Sequence, residues 1–289
     1  MLGPANEPRA RGRALNPNHK LCQAEHGDPP TYVDRATGVT VYSVYRRDDR
    51  QLRRVIDECA ADVILADLQD VGTRLYTFVW TLYALMRAAP SGFSFVVTDR
   101  PNPLGGAVVE GPLLNTSCCA SRYGYAPIPH RHGMTVGELA RYFGARLGAR
   151  VDVWPMSGWR RAHSWADTRL PWIAPSPNLP TAASAVAYGA TVFVEATTIS
   201  EGRGTALPFE LLGAPHINSS SLARELNGVE TAARAARWRA AYFTPSWWKY
   251  NNSVCDGVQY VRPDRARLFA DGVALLGALR AFGFEWDGS

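Results

Sequence analysis

"RQLRRVIDECAADVILADLQD", residues 50–70, decides the fold class. Its first half sets Leu52, Val55, Ile56 and Cys59 at helical spacing. Its second half is the short apolar run "VILA", bounded on each side by an aspartate. A run of that length with β-branched residues reads as a buried strand, so a helix here feeds directly into a strand.

The same alternation continues in both directions. Upstream, "GVTVYSVY" is a β-rich run. Downstream come a helical stretch from about 77 to 89, the strand "FSFVVTD", and a helix opened by Thr135 with Glu138 three residues on, the spacing of a capping box. The strand "VDVW" follows, and then a Trp- and Pro-rich segment in which "APSPNLPTAA" leads to a short helix and an expected strand at "TVFVE". A helix near 221–227, strands near "AAYFT" and "GVQYV", and a closing helix from about 264 to 282 complete the chain. Alternating elements of this kind predict an α/β protein with a largely parallel sheet. The Pro-rich stretch 171–180 is either a boundary between two subdomains or a long active-site loop within one domain.

The 289 residues are 46% hydrophobic and 20% charged, which suits a globular chain, and no apolar run reaches membrane-spanning length. The formal charge of +5 is carried by scattered arginines rather than basic blocks. That pattern argues against nucleic acid and suits an anionic substrate. Five cysteines show no C-x-x-C spacing, and adjacent Cys118 and Cys119 are poorly placed for an ordinary bridge, so reduced thiols are expected. The first twenty residues read as an irregular lead-in without an apolar signal core.

In open α/β sheets ligands gather at the carboxyl ends of the strands. "VILAD-LQD" delivers Asp67, Gln69 and Asp70 there, "SFVVTD-RPNP" delivers Asp99, Arg100 and Asn102, and "TVFVE" delivers Glu195. An isolated aspartate after a strand is usually a turn former or helix cap. Three such groups with Arg74, Arg100 and Arg203 nearby point instead to one shared site. In the loop "ATTISEGRGTALPFE", residues 196–210, Gly202 and Gly204 suit positive φ and close ligand approach, while Ser200 and Thr205 offer donors. Glu201 and Arg203 can form a fixed pair; a ligand loop is the favoured reading, with a turn held by its own ion pair as the alternative.

His132, two residues after His130, suits substrate orientation better than metal binding, since no third ligand stands at a recognised spacing. Ser176 and Asn178 lie between prolines on a rigid segment, either a recognition loop or a linker. Tyr242, Phe243, Trp247, Trp248 and Tyr250 offer a sugar-stacking face, with core packing the default for most of these rings. The dinucleotide G-x-G-x-x-G, the P-loop and the G-x-S-x-G elbow are all missing. What remains is a carboxylate-rich, arginine-supported cleft suited to acid/base hydrolysis of a polar substrate.

Six ordered segments, "DLQDVGTRLYTFVWT", "DRPNPLGG" with "VEGPLL", "PIPHRHGMTVGELA", "APSPNLPT", "SEGRGTALPFELLGAP" and "YFTPSWWKY", resemble the bacterial family first catalogued as domain of unknown function 1343. That family is represented by NamZ-type exo-β-N-acetylmuramidases. No cofactor or metal is expected. The resemblance implies a glycoside hydrolase that releases terminal N-acetylmuramic acid from the non-reducing end of peptidoglycan fragments. It implies a Rossmann-like subdomain over 1–175, a smaller α/β auxiliary subdomain over 176–289, and a site in the cleft between them.

Family motifs fall on Glu25 and His26 of "AEHG", on Asp67, Gln69, Asp70, Arg74 and Tyr76, and on Asp99, Arg100, Asn102 and His132. They also fall on Ser176, Asn178, Glu195, Ser200, Glu201, Arg203 and Thr205. Glu25 is the leading acid/base candidate on that ground, with Asp67, Asp70 and Glu195 candidates for the second catalytic role. Arg74, Arg100 or Arg203 is expected to meet the lactyl carboxylate. Family members usually open with a strand and a "GLITNPTG"-type loop and continue past "FEWDGS", so a first strand and a C-terminal portion are expected to be absent here. The resemblance suggests an exported or periplasmic role, although no signal peptide is visible. A binding protein for muropeptides without catalysis, and an α/β enzyme for another anionic metabolite, are the alternatives.

Overall fold

The computed structural model describes residues 13–16, 31–228, 237–261 and 267–287. Strand β4 (Val63–Ala66), β5 (Ser94–Thr98) and β6 (Arg150–Trp154) form an all-parallel sheet in that order. A second small sheet has the order β1 (Arg13–Asn16), β3 (Thr40–Ser43), β2 (Tyr32–Val33), with β1 parallel to β3. Arg13–Asn16 thus departs from the expected irregular lead-in. Its short alternation "RALN" is too brief to read as a strand without the partner that pairs with it.

Helices α1 (Asp49–Cys59), α2 (Phe78–Ala88) and α4 (Val136–Leu147) pack successively, with α4 also against β6. The expected capping box is present on α4: the Thr135 side chain accepts from Glu138 N–H, and the Glu138 carboxylate accepts from Thr135 N–H. A second one on α1 is formed by Asp48 and Gln51. Trp80, Leu82, Phe95, Val97, Leu139 and Phe143 are buried at the centre of this half. The opposite face of the parallel sheet leaves Val63, Leu65 and Trp154 exposed. The short α3 (Thr116–Cys119) carries a correction: Cys118 and Cys119 are bonded to each other, at a Cα separation of 3.8 Å, below the span of ordinary bridges.

The remaining chain builds a different layer. Strands β7 (Leu211–Ala214), β9 (Cys255–Val261) and β8 (Arg237–Phe243) form an antiparallel sheet in that order, with α6 (Ser219–Gly228) packed on β8 and β9. Helix α5 (Ala182–Thr191) packs against α7 (Leu268–Ala281). The parallel character therefore belongs to the N-terminal half, and the molecule as a whole is α/β. Val71, Tyr76 and Leu104 lie in one core with Leu179, Tyr188, Phe209, Leu212, Trp238 and Leu275. The loops after β4 and β5 thereby fasten the two layers together.

The expected strand at "TVFVE" is a correction. Val192–Ala196 is a 3-10 turn that continues α5. A three-residue apolar run, Val192–Val194, has no periodicity to separate a strand from the buried end of a helix. Among the described residues no helix is long and apolar enough to cross a membrane.

Candidate active site

Two strands, not three, send carboxylates to the rim of the parallel sheet. Asp67 leaves the end of β4 and is gripped by Arg100, whose Nε and Nη2 donate at 2.6 and 2.8 Å, with the Thr98 hydroxyl donating at 2.7 Å. The guanidinium holds the Asp67 carboxyl below its ordinary range. Asp99, at the end of β5, serves the start of α4: Thr135 Oγ1 and Gly137 N–H donate to its two oxygens at 3.0 and 2.8 Å. A carboxylate in that place complements the helix dipole.

Between these ends the backbone is tied closely. Gln69 Nε2 donates to the Asp70 and Pro101 carbonyls, and Asn102 Nδ2 donates to the Met134 carbonyl. Gly72 has φ +87°, and a Cβ there would stand 2.3 Å from Asn102 Oδ1, so only glycine fits the turn.

Asp70 lies inside this turn, 3% exposed. Its Oδ2 accepts from Gly72 N–H at 2.7 Å and pairs with His132 Nε2 at 3.1 Å. His132 Nδ1 accepts from Met134 N–H, which places the ring proton on Nε2 and commits both nitrogens. His132 therefore orients Asp70 and has no nitrogen left for a ligand in this arrangement. Asp70 Oδ1 is buried and has no hydrogen-bond partner among the described residues. A lone buried carboxylate oxygen is costly and marks a place where chemistry can be held in reserve.

His130 plays a packing role: its Nε2 meets the Gly189 carbonyl at 2.8 Å, and its ring lies against Phe193 and Phe269. Burial pushes its pKa down to about 4. The Tyr76 hydroxyl donates to the Pro175 carbonyl at 3.1 Å, anchoring the Pro-rich segment where Ser176 Oγ accepts from Asn178 N–H. Ser176 and Asn178 so stand beside Tyr76.

The second cluster sits on the C-terminal layer. Glu201 is fully buried, with Oε1 2.8 Å from Arg203 Nε and Oε2 3.1 Å from Lys249 Nζ. Arg203 Nη2 also pairs with Glu195, whose side chain is one-third exposed. Lys249 Nζ further lies within hydrogen-bond distance of the Val194, Glu195 and Ile199 carbonyls. Sequence reading missed Lys249. The available signal was its rarity, since it is one of two lysines in a chain with 31 basic residues.

Gly202 and Gly204 have φ of +77° and +80°, as their loop required. The close approach they permit is to protein backbone: a Cβ on Gly204 would meet Trp247 N and O at 2.8 Å, and one on Gly202 would meet the Leu211 carbonyl at 2.5 Å. Ser200 Oγ accepts from Gly202 N–H, and Thr205 Oγ1 donates to the Gly202 carbonyl. Of the aromatic group, Phe243 is core, whereas Tyr242 and Trp248 are exposed. The Arg203 guanidinium stands 6.0 Å from the Trp248 ring centroid.

An aromatic bridge connects the two clusters. Tyr76 meets Tyr188 edge-on at 6.1 Å, Tyr188 meets Phe209 at 4.8 Å, and Arg203 lies 5.5 Å from the Phe209 ring. Burial raises the Tyr188 hydroxyl well above the phenol range, and Arg203, Tyr76, Tyr123 and Asp70 all act on it electrostatically. Asp70 and Arg203 thus both lie within electrostatic reach of Tyr188. Glu25 and His26 lie outside the described residues. Among the described residues, no group of three His, Cys, Asp or Glu side chains is arranged to hold a metal.

Residues 12–183 match the family model described as exo-beta-N-acetylmuramidase NamZ, N-terminal, and residues 186–288 match its C-terminal counterpart. The chain is 44% identical over 251 residues to the peptidoglycan beta-N-acetylmuramidase NamZ of Bacillus subtilis (strain 168). That alignment covers 86% of this chain and 59% of the relative, so the chain spans somewhat more than half the relative's length. Crystal structures of two DUF1343 family proteins from Bacteroides fragilis NCTC 9343 are similar in fold. The first has TM-score 0.80 at 27% identity, covering 92% of this chain and 69% of the other. The second has TM-score 0.61 at 31% identity, covering 81% and 61%.

Proposed function

The chain belongs to the exo-beta-N-acetylmuramidase NamZ family, and from that premise we propose that it is a glycoside hydrolase releasing terminal N-acetylmuramic acid from the non-reducing end of peptidoglycan fragments. The reaction takes place at the seam between a Rossmann-like subdomain, 1–175, and an auxiliary subdomain, 176–289. The observation that carries this reading is the junction of two carboxylate clusters through Tyr76, Tyr188 and Phe209.

Glycoside hydrolysis needs a proton donor for the leaving oxygen and a second group for the anomeric carbon or its assisting neighbour. Glu25 takes the first role on the strength of its motif. Asp70 is favoured for the second, because Asp67 is held by Arg100 and Glu195 by Arg203, while Asp70 keeps one oxygen unengaged among the described residues. With a 2-acetamido sugar, that oxygen suits orientation of the acetamido group as well as direct attack. Gln69, Asn102 and His132 shape the Asp70 turn, and Ser176, Asn178, Ser200 and Thr205 shape the facing loops. Trp248 adds an exposed ring beside Arg203 on which a sugar can stack.

Incubation with a chromogenic β-N-acetylmuramic acid glycoside, beside the matching N-acetylglucosamine glycoside, tests the proposal. Release from the first alone is expected, and Glu25→Gln should abolish it. A second reading, a non-catalytic muropeptide-binding protein, draws support from the heavy pairing of Asp67, Glu195 and Glu201. It predicts binding of muramic-acid saccharides with no release at any pH.

A further inference from the structure

Three arginines border the proposed site, and the chain already spends two of them. Arg100 turns its Nε and Nη2 edge onto Asp67, and Arg203 is divided between Glu195 and Glu201. Arg74 differs. Its Nη1 donates to the Pro112 carbonyl at 2.8 Å and to the Ile128 carbonyl at 2.7 Å, which uses both hydrogens of that nitrogen. No carboxylate among the described residues pairs with it, and burial without a compensating anion lowers its pKa.

The remaining edge of Arg74, Nε with Nη2, is the one that grips a carboxylate through two parallel hydrogen bonds. Among the described residues that edge is used twice elsewhere: Arg100 on Asp67, and Arg87 on Asp49 at 2.9 and 2.6 Å. The two carbonyls fix the plane of the Arg74 guanidinium in advance, so little side-chain freedom is lost when an anion arrives. Its position suits the site, since Leu75, the next residue, accepts a hydrogen bond from the Tyr188 hydroxyl at 3.3 Å.

We infer that Arg74 is the specificity-determining residue that reads the free lactyl carboxylate of the muramic acid ring through its Nε and Nη2 edge. The inference rests on the muramidase reading and sharpens it, since it assigns to one side chain the distinction between muramic acid and N-acetylglucosamine.

The test compares two chromogenic β-N-acetylmuramic acid glycosides, one with the free lactyl carboxylate and one with that group as its methyl amide. Wild type should prefer the acid by about 10- to 100-fold in kcat/KM, the worth of a charged hydrogen-bonded pair. Arg74→Gln should lose that factor on the acid, mainly through KM, and leave the amide nearly unchanged. Arg74→Lys should recover part of the preference. Equal losses on both substrates would overturn the inference, because they would show that Arg74 matters only as a support for the Pro112 and Ile128 carbonyls.

If wild type cleaves neither glycoside, the hydrolase reading fails separately. Calorimetric binding of free N-acetylmuramic acid and its lactyl amide then decides: tighter acid binding that vanishes in Arg74→Gln upholds the inference, and equal binding of both overturns it.

Discussion

Asp70 and Glu201 are both buried carboxylates, yet their surroundings are opposite. Glu201 has a cation on each oxygen, Arg203 and Lys249, and these are held in turn by Glu195 and three backbone carbonyls. Asp70 has one backbone donor and one histidine on a single oxygen, and its other oxygen has no partner among the described residues. The first arrangement closes a network and fixes a loop. The second leaves an acceptor unfilled at a point where the backbone is already rigid. Burial of a charged group therefore does not by itself identify a reacting centre, and the state of its last lone pair separates the two cases.

The comparison breaks most readily at Glu201. Glu201→Gln removes the anion between two buried cations and should cost about 3 to 5 kcal/mol in stability, read by urea unfolding. Wild-type stability in that variant would mean the network is not a structural element. Acid comes next and should act on the Asp70 side, through His130. Its native pKa of about 4 lies below that of the unfolded chain, near 6.5, so the unfolded state takes up the proton first. That contribution to stability is whole above about pH 6.5 and is lost as pH falls toward 4, by up to ~3 kcal/mol. Unfolding at several pH values should show this slope, and His130→Gln should flatten it.

Asp70→Asn keeps the size of the side chain and an acceptor for His132. It should lower hydrolysis of the muramic acid glycoside by about 100-fold while changing stability by no more than about 2 kcal/mol. Loss of fold instead of turnover would assign Asp70 to the same structural class as Glu201. The smallest effect belongs to the exposed pair of Arg53 and Asp57 on α1, at 3.0 Å. Arg53→Ala should shift stability by only about 0.3 to 0.5 kcal/mol and leave turnover unchanged, which sets the floor against which the other three are read.

Much of this was legible in the sequence. Helical spacing at Leu52, Val55 and Ile56, the Thr135–Glu138 capping box and the strand ends at Asp67 and Asp99 are all local signals, and each corresponds to an element. "TVFVE" misled because its apolar run is shorter than one helical repeat, and its burial comes from the tertiary core. The pairing of Glu201 with Arg203 could be read from their spacing, whereas Lys249 lies 48 residues away and joins them only in three dimensions. The same limit applies to the three arginines. Sequence grouped Arg74, Arg100 and Arg203 together, and only their partners set Arg74 apart.

The loop 196–210 has a further consequence, for the way the chain meets a protease. Its glycines, threonines and charges are the composition of a cleavable surface segment. Yet Thr197, Ile199, Ser200, Glu201 and Phe209 are almost wholly inaccessible, and Gly204 accepts hydrogen bonds from both the backbone and the hydroxyl of Ser246. Limited digestion should spare this stretch until the whole domain opens, and its amide protons should exchange with those of 245–252 as one slow unit. The most loop-like words in the sequence thus belong to one of the last parts of the molecule to yield.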